Sequence, residues 1–191
     1  MRLPVSLIFS PLKTFDRLKQ ADFLGVALVL TAIRWTVTPL NTVWRMYVHD
    51  SPMLFRPLFG MDEKTYRFWE IFWYGPYGIL MMLVMVYAVF RMARRFDPEA
   101  RPTFRKTFEL VSLTFFTPWL ASVPGDIVLV HTVNAAPLFL VPFHLAILTL
   151  ECFLLSLGVH RMYGIPFWRR GVVLGFAAGM IFVALGGVAM R

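Results

Sequence analysis

Five apolar stretches, each long enough to cross a bilayer, fill most of this 191-residue chain. They lie at roughly 22–44, 70–90, 107–130, 136–160 and 167–190, and a helix needs about 20 mainly apolar residues to span the hydrocarbon core. Charged residues are 16% of the chain, below the ~25% usual in soluble domains. The expected fold is all-α: a five-transmembrane-helix bundle with a short N-terminal interfacial helix, forming one domain over residues 1–191. The first apolar run, Leu3 to Phe9, stops at Ser10-Pro11, and no small-residue cleavage pattern follows. The first span is therefore expected to stay in the membrane as an anchor.

A net charge of +8 invites a nucleic-acid reading, but the placement of the charges excludes it. The basic residues cluster at the ends of spans, not along one soluble face. Thirteen of the nineteen fall on one side: Arg2, Lys13, Arg17 and Lys19, then Arg91, Arg94, Arg95, Arg101, Arg105 and Lys106, then Arg161, Arg169 and Arg170. Five fall on the other, at Arg45, Arg56, Lys64, Arg67 and Arg191, and Arg34 is left inside the membrane. The positive-inside rule then predicts a cytoplasmic N-terminus and an external C-terminus. The single cysteine, Cys152, lies within a span. It reads as a small packing residue, which leaves no internal disulfide and no cysteine-based zinc site.

Ser10 with Pro11 is placed to start a short helix. Leu12, Phe15 and Leu18 share one of its faces, with Lys13, Arg17 and Lys19 around them, as in a helix lying on the cytoplasmic leaflet. The Arg91–Lys106 connection is the most basic segment, and it suits anionic lipid headgroups or topology determination alone. Pro76 is expected to kink the second helix near its outer end, where Tyr66, Trp69, Trp73 and Tyr77 fit an aromatic belt. Pro118 and Pro124 predict a bent or broken outer half of the third. In the fifth span Gly171, Gly175 and Gly179, with Gly187 farther along the row, form a face on which another helix can approach closely. That partner helix is either internal or from another subunit.

Arg34 is the residue that most needs an explanation, because an arginine at a helix centre costs about 2.5–3.5 kcal/mol on insertion scales. Glu151 is its best partner. Arg34 lies about twelve residues from the cytoplasmic end of the first span and Glu151 about ten from that end of the fourth. At 1.5 Å per residue these depths differ by only about 3 Å. His144 lies seven residues before Glu151, on nearly the same face. Arg34, His144 and Glu151 are thus expected to form one polar column, which is either a proton or substrate pathway or a buried network fixing helix registry. Glu109 and Asp126 lie near opposite ends of the third span and read as solvated or capping groups; His131 is expected outside, and His49 and His160 on opposite sides. No HExxH, paired intramembrane aspartates, GxSxG or phosphate loop occurs. No catalytic residue, metal ligand or cofactor site is predicted.

The pattern as a whole resembles the YIP (Ypt-interacting protein) membrane-domain family in a compact prokaryotic form. Ser10-Pro11 and Thr14-Phe15 precede five spans, and the third reads Phe115-Phe116-Thr117-Pro118-Trp119-Leu120. The string Tyr74-Gly75-Pro76 lies in the second span, not before the first as in the family's Asp-Leu-Tyr-Gly-Pro motif, so that motif is not carried over. The resemblance implies a non-enzymatic scaffold or accessory protein of a bacterial inner membrane. Its expected partners are membrane lipids and another integral membrane protein or a second copy of itself. The alternative, from another class, is a small transporter or lipid-moving protein using Arg34, Glu151 and His144. A membrane enzyme is the weakest reading.

Overall fold

The computed structural model describes residues 3–50, 53, 56–132 and 137–189; the side chains of 3, 129–132, 137–140 and 187–189 are not described, so the readings of His131 and Gly187 lie outside what is described. Every regular element among the described residues is helical: α1 (Leu3–Phe9), α2 (Pro11–Gln20), α3 (Leu24–Thr38), α4 (Trp44–Val48), α5 (Glu63–Phe96), α6 (Phe104–Thr132), α7 (Pro137–Tyr163) and α8 (Val172–Ala189). Four helical segments are long and apolar enough to cross a membrane: Leu24–Val48, Glu63–Phe96, Val141–Tyr163 and Phe167–Gly186.

Helix α6 lies at the centre of the bundle. Each residue from Thr107 to Trp119 is buried, with α3, α5 and α7 packed around it. A helix enclosed by other helices meets no lipid over that stretch, so it need not be uniformly apolar. Its hydroxyls turn back onto their own backbone: Thr114 Oγ1 donates to the Leu110 carbonyl (2.9 Å) and Thr117 Oγ1 to that of Leu113 (2.9 Å). Thr31 of α3 reaches across to Ser112 Oγ (3.1 Å). Leu110, Val111, Val86, Leu155 and Leu174 fill the fully buried centre of the bundle.

The expected kink sites lie inside continuous helices. Helix α5 continues through Pro76, and α6 through Pro118 and Pro124. Each proline removes one donor, and a full break at membrane depth would strand several backbone groups at once. π-Helical turns occur at Pro39–Val43, which joins α3 to α4, and at Phe167–Gly171, which leads into α8. Asp62 caps α5, accepting from the Thr65 N–H at 2.9 Å. Ser10 precedes α2 with Pro11 first in the helix, but its hydroxyl makes no capping bond.

Helix α2 is not simply laid on a leaflet. Thr14, Phe15 and Leu18 are buried against the ends of α6 and α7. Arg161 clasps Asp16 with two bonds (2.7 and 2.8 Å), and Lys106 Nζ donates to the Leu18 carbonyl at 2.9 Å. Leu12 remains exposed.

Candidate functional site

Arg34 reaches into the bundle from α3 and is only 6% exposed. Its Nη1 lies 2.9 Å from Glu151 Oε1, across the bundle on α7, and Glu151 is 1% exposed. The same nitrogen donates to the backbone carbonyl of Phe115 on α6. Pro118 has no N–H for the Thr114 carbonyl; the next carbonyl along is the one that receives Arg34. Four rings surround the guanidinium: Trp35 and Phe182 at 5.3 Å, Phe115 at 5.8 Å and Trp119 at 5.9 Å. Ring faces carry negative charge density, so each attracts a cation, and most strongly where water is excluded. The charge is thus held by one carboxylate, one carbonyl and four aromatic faces, from α3, α6, α7 and α8.

His144 forms its ion pair with a different carboxylate. Its Nε2 lies 3.1 Å from Asp126 Oδ1 on α6, with poor hydrogen-bond alignment, and the imidazole is half exposed. Asp126, expected to be solvated, is buried. Glu109 is buried as well, with Lys106 Nζ 2.8 Å from one oxygen and Arg105 Nε 3.7 Å from the other.

A second buried ion pair escaped the sequence reading. Arg67 Nη1 donates to Glu70 Oε2 at 3.0 Å, one turn apart on α5, and both side chains are buried. Asp62 starts the helix ahead of the expected span at residue 70 and brings both residues onto its inner face. Tyr74 continues that face and meets Trp35, with ring centroids 6.0 Å apart. Among the described residues, Arg34 Nε, Trp35 Nε1, Arg67 Nε, Glu70 Oε1, Glu109 Oε1 and Asp126 Oδ1 are buried without a hydrogen-bond partner. The bundle therefore carries polar atoms whose hydrogen-bonding capacity it does not fill itself.

The glycine row lies against α7. A Cβ at Gly175 would stand 2.1 Å from Ser156 Oγ and 2.3 Å from the Cys152 carbonyl oxygen, and one at Gly179 would stand 2.4 Å from Cys152 Sγ. At Gly171 the nearest atom would be the Ser156 carbonyl oxygen, at 3.3 Å. Three glycines on α8 and its lead-in thus face two small residues one turn apart on α7. Gly78 has the same use on α5, where a Cβ would lie 2.0 Å from the Trp35 ring.

Nothing in this arrangement is a nucleophile beside a base. Among the described residues no three His, Cys, Asp or Glu side chains gather where a metal ion could be held. The geometry positions helices against one another through polar contacts and close backbone approach. A family model described as the Yip1 domain matches residues 5–189. Comparison with curated proteins and with solved structures returned no match.

Proposed function

Because the chain belongs to the Yip1 domain family, we propose that it is a non-enzymatic scaffold or accessory protein of a membrane. It acts by binding another integral membrane protein, or a second copy of itself, together with lipids. The bilayer is a bacterial inner membrane, crossed by α6 as well as by the other four long helices, with the N-terminus in the cytoplasm and the C-terminus outside. The observation that carries the reading is the enclosure of the Arg34–Glu151 pair: each side chain is buried and paired, and aromatic rings close over the guanidinium. A pair so enclosed fixes the registry of its helices. Four helices locked at one point suit a rigid bundle that presents its outer surface to a partner.

The alternative is a small transporter or lipid-moving protein. It draws support from the buried atoms without hydrogen-bond partners around the two arginine pairs, Arg34 Nε, Trp35 Nε1, Arg67 Nε and Glu70 Oε1, which suit water or a polar solute. The test is purification in native nanodiscs followed by mass spectrometry, on the wild type and on the folded double variant Arg34→Met/Glu151→Gln. A stoichiometric membrane-protein partner retained by the variant is the expected result. A bound solute in place of a partner, lost with the variant, would overturn the scaffold reading.

A further inference from the structure

Several basic residues at the α2 end of the bundle are held by the protein itself. Lys106 holds carbonyls at the end of α2, Arg105 meets Asp22, Arg161 clasps Asp16, and Arg170 donates to the Phe96 carbonyl at the end of α5. These four are occupied by the protein itself. Arg91, Arg94 and Arg95 are exposed on the last turns of α5, and none has a carboxylate partner among the described residues. They line one open groove with Met92. Two of them rest on rings of their own helix, Arg91 at 5.9 Å from the Tyr87 centroid and Arg94 at 5.4 Å from that of Phe90. Phe90 is in turn braced edge-on by Phe104 at 6.1 Å.

These arginines end a stripe that begins inside the bilayer. Leu80, Val84 and Tyr87 are exposed. At 100° per residue, positions 80, 84, 87, 91, 94 and 95 fall within about a third of the helix circumference. An apolar strip therefore leads along α5 into three uncommitted guanidiniums. That sequence of surfaces matches an acyl chain followed by a phosphate. Guanidinium forks hold phosphate oxygens in pairs, and the aromatic rests keep two of them in place beforehand.

We infer that the end of α5 binds an anionic phospholipid, with Arg91, Arg94 and Arg95 on its headgroup phosphate and Leu80, Val84 and Tyr87 along its acyl chain. The site needs α5 to lie in a bilayer and deepens the lipid-binding part of the scaffold reading, without requiring any protein partner. The continuous apolar strip is what distinguishes a lipid from a soluble phosphate.

The test uses the full chain in detergent micelles, with phosphatidylglycerol and phosphatidylcholine titrated separately and bound lipid counted by native mass spectrometry. A basic residue near an anionic headgroup is worth roughly five-fold in affinity. Replacing all three arginines by glutamine should thus reduce the preference for phosphatidylglycerol by about a hundred-fold. Arg169→Gln, outside the stripe, should leave it unchanged, and inorganic phosphate should not displace the lipid. An undiminished preference in the triple variant refutes the site. So does equal loss with Arg169→Gln, which would mean diffuse charge, or displacement by inorganic phosphate, which would mean a soluble-anion site. If the triple variant does not fold, the single variants decide: each should lose roughly five-fold with unchanged melting in phosphatidylcholine, and three flat results refute the proposal. Co-purification of a protein partner, scored on the same variants, separates failure of this site from failure of the scaffold reading.

Discussion

The Arg34–Glu151 pair invites a double-mutant cycle whose outcome is asymmetric. Arg34→Met keeps most of the stem and removes the charge. It leaves the Glu151 carboxylate, 1% exposed, without its ionic partner. Stranding one member of a buried pair costs about 3–5 kcal/mol. Glu151→Gln is gentler, because the amide oxygen still accepts from Arg34 Nη1. Arg34 also keeps the Phe115 carbonyl and the four rings around it. The loss is then that of a charge-assisted hydrogen bond made neutral on one side, about 1.5–3 kcal/mol. The double variant removes both charges together, and its penalty should fall short of the sum by about 2 kcal/mol. Reversible unfolding in mixed micelles, on all four species under one lipid condition, measures each corner. An interaction energy within about 0.5 kcal/mol of zero would show that the residues are independent. A Glu151→Gln penalty as large as that of Arg34→Met would show that the carbonyl and the rings contribute nothing.

Three further outcomes are expected. Gly175→Ala places a methyl group 2.3 Å from the Cys152 carbonyl oxygen, so α7 and α8 must separate, at about 1–3 kcal/mol. Gly25→Ala, with nothing within 4 Å, should be neutral or slightly stabilising; equal melting shifts for the two would mean that the glycine row makes no contact. The Arg161 hydrogen bond, with its charge, holds the Asp16 carboxyl below the usual aspartate range. A carboxylate depressed in the folded state stabilises fully above its unfolded pKa, and that contribution is lost as pH falls through the folded value. Docking of α2 should accordingly loosen only below the ordinary aspartate range, as read by a fluorophore on α2, and Asp16→Asn should abolish this dependence. Finally, with the buried Cys152 as an unreactive background, Glu63→Cys should react with an impermeant thiol reagent from outside the cell and Glu99→Cys should not; reversed labelling would invert the proposed topology.

What the sequence disclosed follows from which forces are local. Apolar length showed that the chain is a set of long helices, and depth counted from the span ends set Arg34 opposite Glu151. Glycines at intervals of four marked the α8 face that meets α7. The same depth argument was available for Asp126 and His144, near the outer ends of consecutive helices, but helical phase grouped His144 with Glu151 instead. Arg67 and Glu70 were legible as an i, i+3 pair once Asp62 was taken as the cap of α5. Two features lay beyond reach. Which helix sits at the centre is a property of the assembly, and α6 looks like any span until its neighbours are in place. The docking of α2 depends on Asp16 meeting Arg161, 145 positions away, and nothing in an amphipathic stretch distinguishes packing on protein from packing on lipid.

The central polar contact bears on how such a bundle holds together at all. Lipid tails are as apolar as leucine, so burial of apolar surface gives helices in a membrane little reason to prefer each other over the solvent. Association must come from close packing and from polar groups that find partners only in the assembled state. This chain uses both along α7. Cys152 and Ser156 admit the glycines of α8, and Glu151, next to Cys152, draws in Arg34 from α3. The Phe115 carbonyl ties α6 to the same guanidinium, and Phe182 of α8 closes over it. One turn of α7 therefore organises α3, α6 and α8, which is why a charge costly to insert is compatible with a stable fold. It is also why the scaffold reading is preferred here to the conduit: a charge that holds four helices cannot change partners during transport without loosening all of them.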